Sequence, residues 1–343
     1  MPIEFKSITC ESRFLDPRQN FKECSLFFEI RQEPLTGLVG FVAKYRRPLF
    51  ERADLSELMR CSLQRECPFC PQNIQTMTPQ YPHELINEGR LHLGEAWVIP
   101  NLAPVAQYNA LTIVSNNHFV NITDFSEEML TNAFVVSRVY LENVFVHDSQ
   151  AKYCSINWNY MPLAGSGQLH PHLQVIANRF PHAYERQMLE ASWKYYETNA
   201  TNFWADLIDE ERRRGQRYVT ATGDCCWIMS FVPRGFFEAM AIFQERTSIL
   251  ELTNEDFRDF AIGLKNVLNY INDLNLYGFN MAIYSGEGSN NNFWVNARVV
   301  PRFLSAPLST SDVNFTTILH NLPVTFNKPE DICNELKTYF IGP

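Results

Sequence analysis

Nowhere in these 343 residues do 18 apolar residues run together. The nearest approach, CCWIMSFVPRGFFEAMAIF from Cys225, is broken by Pro233, Arg234 and Gly235, so no membrane-spanning helix is expected. The start, MPIEFKSITCESRF, lacks the basic-then-apolar order of a secretory signal. Basic residues are also short. The chain has 29 Lys and Arg against 38 Asp and Glu, a net charge of −9, which argues against a nucleic-acid or anionic-membrane surface. A protein this acidic binds phosphates only through a locally concentrated site. Nine cysteines, an odd number scattered through a long chain, suit reduced cytoplasmic thiols, some of them on metal, better than a disulfide framework.

What is present is a globular composition: 45% hydrophobic, 13% aromatic and 20% charged. The length suffices for one large domain or two ordinary ones. Residues 26–44 read as a strand pair turning near Pro34 to Gly37, and residues 93–115 as two strands around a loop with Pro100, Asn101 and Pro104. Ser126 is placed to cap an amphipathic helix; AKYCSINWNYMP then reads as a strand, and residues 183–215 as helical. From Cys225 the order strand, strand, helix, strand, loop, strand recurs. The expectation is an α+β protein of two duplicated halves, residues 1–205 and 206–343, each an antiparallel sheet with helices on one side. No linker rich in Pro, Gly or Ser divides them, so they should pack as one body.

Histidine is scarce, eight in all, yet GSGQLHPHLQ places His170, His172 and Gln174 at alternate positions. In a strand these three share one face, about 7 Å from neighbour to neighbour. Such a polar row is costly to bury without partners. Cys67 and Cys70 in CPFCPQN form a C-x-x-C knuckle whose turn can aim two thiolates at one metal. A redox pair or two core thiols are the alternatives for that spacing. Four-coordination needs two more ligands, and His118 in SNNHF and His170 are the candidates. With His170 tied to metal, the neighbouring His172 imidazole is held rigidly and is a competent nucleophile toward phosphorus. Gln174 can donate a hydrogen bond to a phosphoryl oxygen without being an acid. Gly165, Ser166 and Gly167 allow backbone N–H groups close to a phosphate, and Asn159 offers an amide at the same edge.

CPFCPQN, SNNHF and GSGQLHPHLQVIANRFP, in this order, resemble the galactose-1-phosphate uridylyltransferase family of the histidine-triad superfamily. GFVAKYRRPLF, WVIPNLAP and INWNYMPLAG also resemble family segments, as does the second half at CWIMSFVPRGFFEAM. The resemblance implies duplicated histidine-triad-like halves and His172 as a covalent nucleophile forming a nucleotidyl-histidine that Gln174 stabilises. It implies one structural zinc on Cys67, Cys70, His118 and His170. Phosphate contacts would come from Lys44 and Arg47, the nucleoside contact from Asn101, and a substrate amide from Asn159. The expected substrates are a nucleotide sugar with a sugar phosphate, or inorganic phosphate in a phosphorylase of the same fold; the expected assembly is a homodimer. Departures are informative. Gly167 stands where the family has a phosphate-contacting serine, with Ser166 one residue away, and Leu173 replaces a glycine or serine. Asn296 and Arg298 replace an H-x-H, so a second metal site is not expected and Arg298 becomes a candidate for an acceptor phosphate. The V-x-P-R run ending at Arg302 looks closer to nucleoside-diphosphosugar phosphorylases.

Overall fold

A computed structural model describes residues 3–43, 50–288, 291–305 and 309–341; Lys44 and Arg47 lie outside the described residues. In chain order the first strands are β1 (Lys6–Asp16), β2 (Lys22–Gln32), β3 (Val39–Ala43), β4 (Leu91–Leu93), β5 (Ala96–Pro100), β6 (Tyr108–Ile113), β7 (Tyr153–Tyr160) and β8 (His172–Asn178). The later ones are β9 (Tyr218–Thr222), β10 (Cys225–Met229), β11 (Ala239–Phe243), β12 (Gly278–Tyr284), β13 (Asn296–Arg302), β14 (Leu304–Ser305), β15 (Thr310–Ser311) and β16 (Val324–Thr325). The helices are α1 (Ser56–Ser62), α2 (Ile74–Met77), α3 (Glu127–His147), α4 (Ala183–Asn199), α5 (Phe203–Arg214), α6 (Asn254–Asp273), α7 (Phe315–His320) and α8 (Pro329–Phe340).

One ten-stranded sheet, entirely antiparallel, runs β4-β5-β6-β8-β7-β12-β13-β11-β10-β9. Its order is the duplication made visible. Within the first half the strands lie β5-β6-β8-β7, and within the second, read outward from the centre, β12-β13-β11-β10, so the halves are mirrored in strand order about a seam between β7 and β12. The boundary expected at residue 205 falls within α5, and both halves share the one sheet.

Strand alternation decides the layers. Leu173, Val175 and Ala177 of β8, Ile156 and Trp158 of β7, Phe279 and Ile283 of β12, and Ala297 and Val299 of β13 point to the face covered by α3 and α6. The two helices pack on each other through Phe134, whose ring lies 5.3 Å from Phe260 and 5.8 Å from Phe257. Ser126 caps α3 by accepting the Met129 N–H at 3.0 Å, and Thr253 with Asp256 forms a capping box on α6. The opposite face is divided. Over the second half, α4 and α5 bury Met188, Phe203, Trp204 and Leu207 against Ile228, Met240 and Ile242, so helices lie here as well as on the expected side. Over the first half the cover is the Cys67 knuckle, against Ile99, Leu111 and Ile113. Residues 183–215 form two helices because Ala200 turns left-handed (φ 55°) and Asn202 restarts the chain, accepting the N–H groups of Trp204 and Ala205.

β1, β2 and β3 form a separate antiparallel meander, with β16 added parallel to β3. Its two faces differ. Ile8, Phe14, Leu26, Phe28, Ile30, Val39 and Phe41 share one face by register, whereas Glu11, Arg13 and Glu23 share the other, where Arg13 pairs with Glu23 and Ser25 donates to Glu11. Much of the apolar face is bare: Ile8 is 67% exposed and Leu26 43%.

Candidate metal and nucleophile centre

The knuckle, the loop after β6 and the approach to β8 bring four donors together. The ligand atoms of Cys67, Cys70, His118 and His170 all lie within 4.8 Å of one another. Cys70 Sγ is 3.5 Å from His118 Nδ1 and 3.8 Å from His170 Nδ1, and Cys67 Sγ is 3.7 Å from His170 Nδ1. Zinc–ligand bond lengths at tetrahedral angles put a thiolate sulfur and an imidazole nitrogen about 3.6 Å apart. The donor set therefore fits such a metal. The outer nitrogens are also fixed: His170 Nε2–H donates to the Ser115 carbonyl at 2.7 Å and His118 Nε2–H to the Ser62 hydroxyl at 3.0 Å, leaving both Nδ1 lone pairs turned inward. Asn73, last residue of CPFCPQN, braces the knuckle by donating to the Cys67 carbonyl at 2.9 Å. Burial, with Cys67 beside it, raises the Cys70 thiol to about 11, and burial lowers His170 to about 4, so a metal would displace the Cys70 proton on binding while finding the His170 imidazole already neutral.

His172 begins β8 on the face opposite α3, opposite Ile113 of β6. Its Nδ1 lies 2.9 Å from the His170 carbonyl oxygen. That contact places the proton on Nδ1 and leaves Nε2 as the lone-pair nitrogen. Phe69, between the two knuckle prolines, packs its ring on both imidazoles, 6.0 Å from His170 and 5.4 Å from His172. Burial holds His172 below the ordinary imidazole range, against the opposing pull of its hydrogen bond to the His170 carbonyl. The result is a neutral, oriented imidazole. Gln174, two residues on, is half-buried, and its side-chain amide has no hydrogen-bond partner among the described residues.

The seam continues this polar face. Gln174 lies opposite Asn157, Asn157 opposite Ala282, and Ala282 opposite Arg298. The same register carried one step further sets Asn159 opposite His172. Asn159 is fixed from the second half: Asn280 Nδ2 donates to its Oδ1 at 2.7 Å and to the Ala164 carbonyl at 2.8 Å, while Arg302 Nη1 donates to Asn280 Oδ1 at 2.8 Å. The 161–171 loop starts under strain, since Met161, a buried non-glycine, has φ 74° and ψ 155°. Gly165 follows at φ 93°, and a Cβ added at Gly167 would meet nothing within 4 Å. Ser166 spends its hydroxyl on the Gln168 carbonyl at 2.6 Å.

Two expected contacts sit apart from this cluster. Asn101 braces its own loop, donating to Asn109 Oδ1 and accepting the Ala103 N–H, both at 3.0 Å. Arg298 is buried three strands from β8, about 14 Å at ordinary strand spacing, with its guanidinium ion-paired to Glu238. Phe69, Asn280 and the carbonyls of Ser115 and His170 were not anticipated. Only Phe69 had a readable signal, its place inside the knuckle.

No family model matches the chain. An uncharacterised protein of Archaeoglobus fulgidus is 29% identical over 310 residues, covering 90% of this chain and 91% of that one. Among solved structures, an ADP-glucose phosphorylase from Arabidopsis thaliana with bound ADP-glucose aligns at TM-score 0.71 and 16% identity, over 90% of this chain and 98% of that chain. A GalT-like protein from the same plant aligns at 0.70 and 16% with the same coverage, and a uridylyltransferase at 0.67 and 17%, over 90% and 97%. At these identities the likeness is one of fold. The chain shares the fold of these proteins, and its motifs resemble the galactose-1-phosphate uridylyltransferase family.

Proposed function

We propose that the protein is a nucleotidyltransferase that works by double displacement through a nucleotidyl-His172 intermediate. The carrying observation is the Nδ1 contact of His172 to the His170 carbonyl, which leaves Nε2 unprotonated within a buried, neutral ring. In the first half-reaction Nε2 attacks the α-phosphorus of a nucleotide sugar; the P–N bond forms as the P–O bond to the sugar phosphate breaks, and the sugar phosphate leaves with the electron pair. In the second, an oxygen of an acceptor phosphate attacks the same phosphorus and the imidazole departs. Gln174, with its amide unengaged, holds a non-bridging oxygen, and the Asn159 amide with the 165–167 backbone faces the phosphates. The Gln174 amide can neither take a proton from an attacking water nor give one to the departing imidazole, which favours transfer to an already ionised phosphate over hydrolysis.

The metal on Cys67, Cys70, His118 and His170 is zinc in this reading, one per chain, and its chemistry is to tie the knuckle to β8. The protein works as a cytoplasmic homodimer, its bare β1–β3 face being the surface that association would cover. A phosphorylase is the second reading. Asn296 is wholly buried and donates to the Trp294 carbonyl at 3.1 Å, and Arg298 pairs with Glu238, both on β13 three strands from β8, so neither stands beside His172 to hold acceptor sugar hydroxyls. Inorganic phosphate as acceptor would release a nucleoside diphosphate.

The test is intact-mass measurement after incubation with a panel of nucleotide sugars, followed by chase with sugar phosphate or inorganic phosphate. An added uridylyl, adenylyl or guanylyl mass, absent in His172→Ala, is expected, and the effective chase separates transferase from phosphorylase. Exchange of labelled sugar phosphate surviving in His172→Ala at a few percent of wild type would mean direct in-line transfer.

A further inference from the structure

Away from His172, a cavity of about 180 Å³ lies between the β2–β3 turn, the start of α4, the β10–β11 loop and α7. Its walls include Glu33, Tyr184, Arg234, Arg298, Thr317 and Asn321. Two arginines and two carboxylates, Glu33 on the wall and Glu238 behind Arg298, balance in formal charge, but their hydrogen-bond donors and acceptors do not pair off. Glu238 is fully used: Oε1 takes Arg298 Nη1 and the Ser230 hydroxyl, and Oε2 accepts the Arg234 backbone N–H at 3.0 Å. Glu33 is used within its own turn, where Oε2 accepts the backbone N–H and the hydroxyl of Thr36, both at 2.6 Å.

Two donors are left over. Arg298 is 5% exposed, and its Nε–H is buried without an acceptor. The Arg234 guanidinium stacks on Tyr184, 3.3 Å from the ring centroid. It makes no ion pair or side-chain hydrogen bond among the described residues. Arg234 is a half-buried cation with an aromatic ring behind it, open space before it and its guanidinium N–H donors unpaired, and an orphaned buried N–H beside it costs about as much as a lost hydrogen bond. Guanidinium donors are shaped for planar, bidentate recognition of oxyanions.

We propose that this cavity binds a compact tetrahedral oxyanion of the size of inorganic phosphate, held by the Arg234 guanidinium and Arg298 Nε–H. Thr317 and Asn321 give the rim a hydroxyl and an amide for the remaining oxygens. The site needs no chemistry at His172 and does not rest on the nucleotidyl-transfer reading. It occupies in the second half the face that the His172 centre occupies in the first, so the two halves would each bind phosphate chemistry by different means: an imidazole nucleophile in one, a guanidinium pair in the other.

Titration calorimetry with inorganic phosphate tests this on wild type, His172→Ala and Arg234→Gln. Wild type and His172→Ala should bind one phosphate per chain alike, and Arg234→Gln at least tenfold more weakly with an unchanged melting temperature. A second measurement does not depend on a variant folding: labelling by phenylglyoxal, mapped by peptide mass. Phosphate should slow modification of Arg234 severalfold and leave exposed Arg18 unaffected. Silence in the wild-type titration, equal affinity in Arg234→Gln, loss of binding in His172→Ala, or an Arg234 that phosphate does not protect would each overturn the proposal.

Discussion

Glu185 stands one turn into α4, 4% exposed, with Oε2 accepting the His182 backbone N–H at 3.1 Å and Oε1 buried without a partner. Burial raises its carboxyl from the ordinary 4.5 to about 7, although the His182 hydrogen bond pulls the other way. The sign follows. Below pH 4.5 the carboxyl is protonated in both folded and unfolded chains and nothing is lost. Between pH 4.5 and 7 the unfolded chain releases its proton while the folded one keeps it, so stability falls as pH rises. Above about pH 7 the whole penalty is present, roughly 3 kcal/mol at about 1.4 kcal/mol per tenfold change in proton affinity. Glutamine keeps the cap-accepting oxygen and never ionises. Glu185→Gln should therefore match wild type at pH 4.5 and exceed it by up to roughly 3 kcal/mol at pH 8, about 4 °C in melting temperature for a chain this long. Thermal unfolding followed by circular dichroism from pH 4.5 to 8 is the assay. A difference that is constant with pH, or that favours wild type at pH 8, refutes the reasoning.

Cys70→Ser should lose the metal and its stabilisation together, read by elemental analysis and melting temperature, because a structural metal contributes folding free energy; wild type that is metal-free yet equally stable would oppose this. Asn280→Ala removes three hydrogen bonds at the seam and should cost about 2–3 kcal/mol by denaturant titration, slow formation of the His172 adduct by freeing Asn159, and leave metal content unchanged. Ile8→Glu with Leu26→Glu, on the bare apolar face, should shift a dimer to monomer in sedimentation at micromolar concentration; an unchanged mass would place the interface elsewhere.

The Cys–His cluster was legible in the sequence because its information is carried by letters: two thiols at fixed spacing and two scarce imidazoles, His118 and His170, with His172 and Gln174 at strand period beside them. What holds those letters in place was not. The tautomers of His170 and His172 are set by the carbonyls of Ser115 and His170, and a carbonyl belongs to every residue alike. Arg298 read as a candidate for an acceptor phosphate at the site, yet it lies three strands from β8, paired with Glu238 60 positions away, and nothing local announces the pair. The break between α4 and α5 escaped for a related reason. TNATN contains no Gly or Pro, and Ala200 adopts a left-handed turn that its side chain does not advertise. The repeated strand order was readable, whereas the seam that joins the halves depends on register between distant strands. The β1 strand was missed because KSITCESRFLD lacks a clean apolar alternation of its own; its apolar face emerges only when β2 lies beside it.

The seam has a consequence for biosynthesis. Asn159 pairs with Asn280, 121 positions later, whereas every member of the Cys–His cluster has been translated by His170. A growing chain can therefore close β5 to β8 and assemble its Cys–His cluster while β12 does not yet exist. Through that interval β7 is an open edge, a row of unpaired N–H and C=O groups in the middle of what will become one sheet. Any chain halted there carries a surface that accepts another antiparallel strand, including the β7 of a second halted chain. Truncation near residue 215 should consequently yield species with the Cys–His cluster assembled that pair with each other, and supplying the missing half in trans should release them.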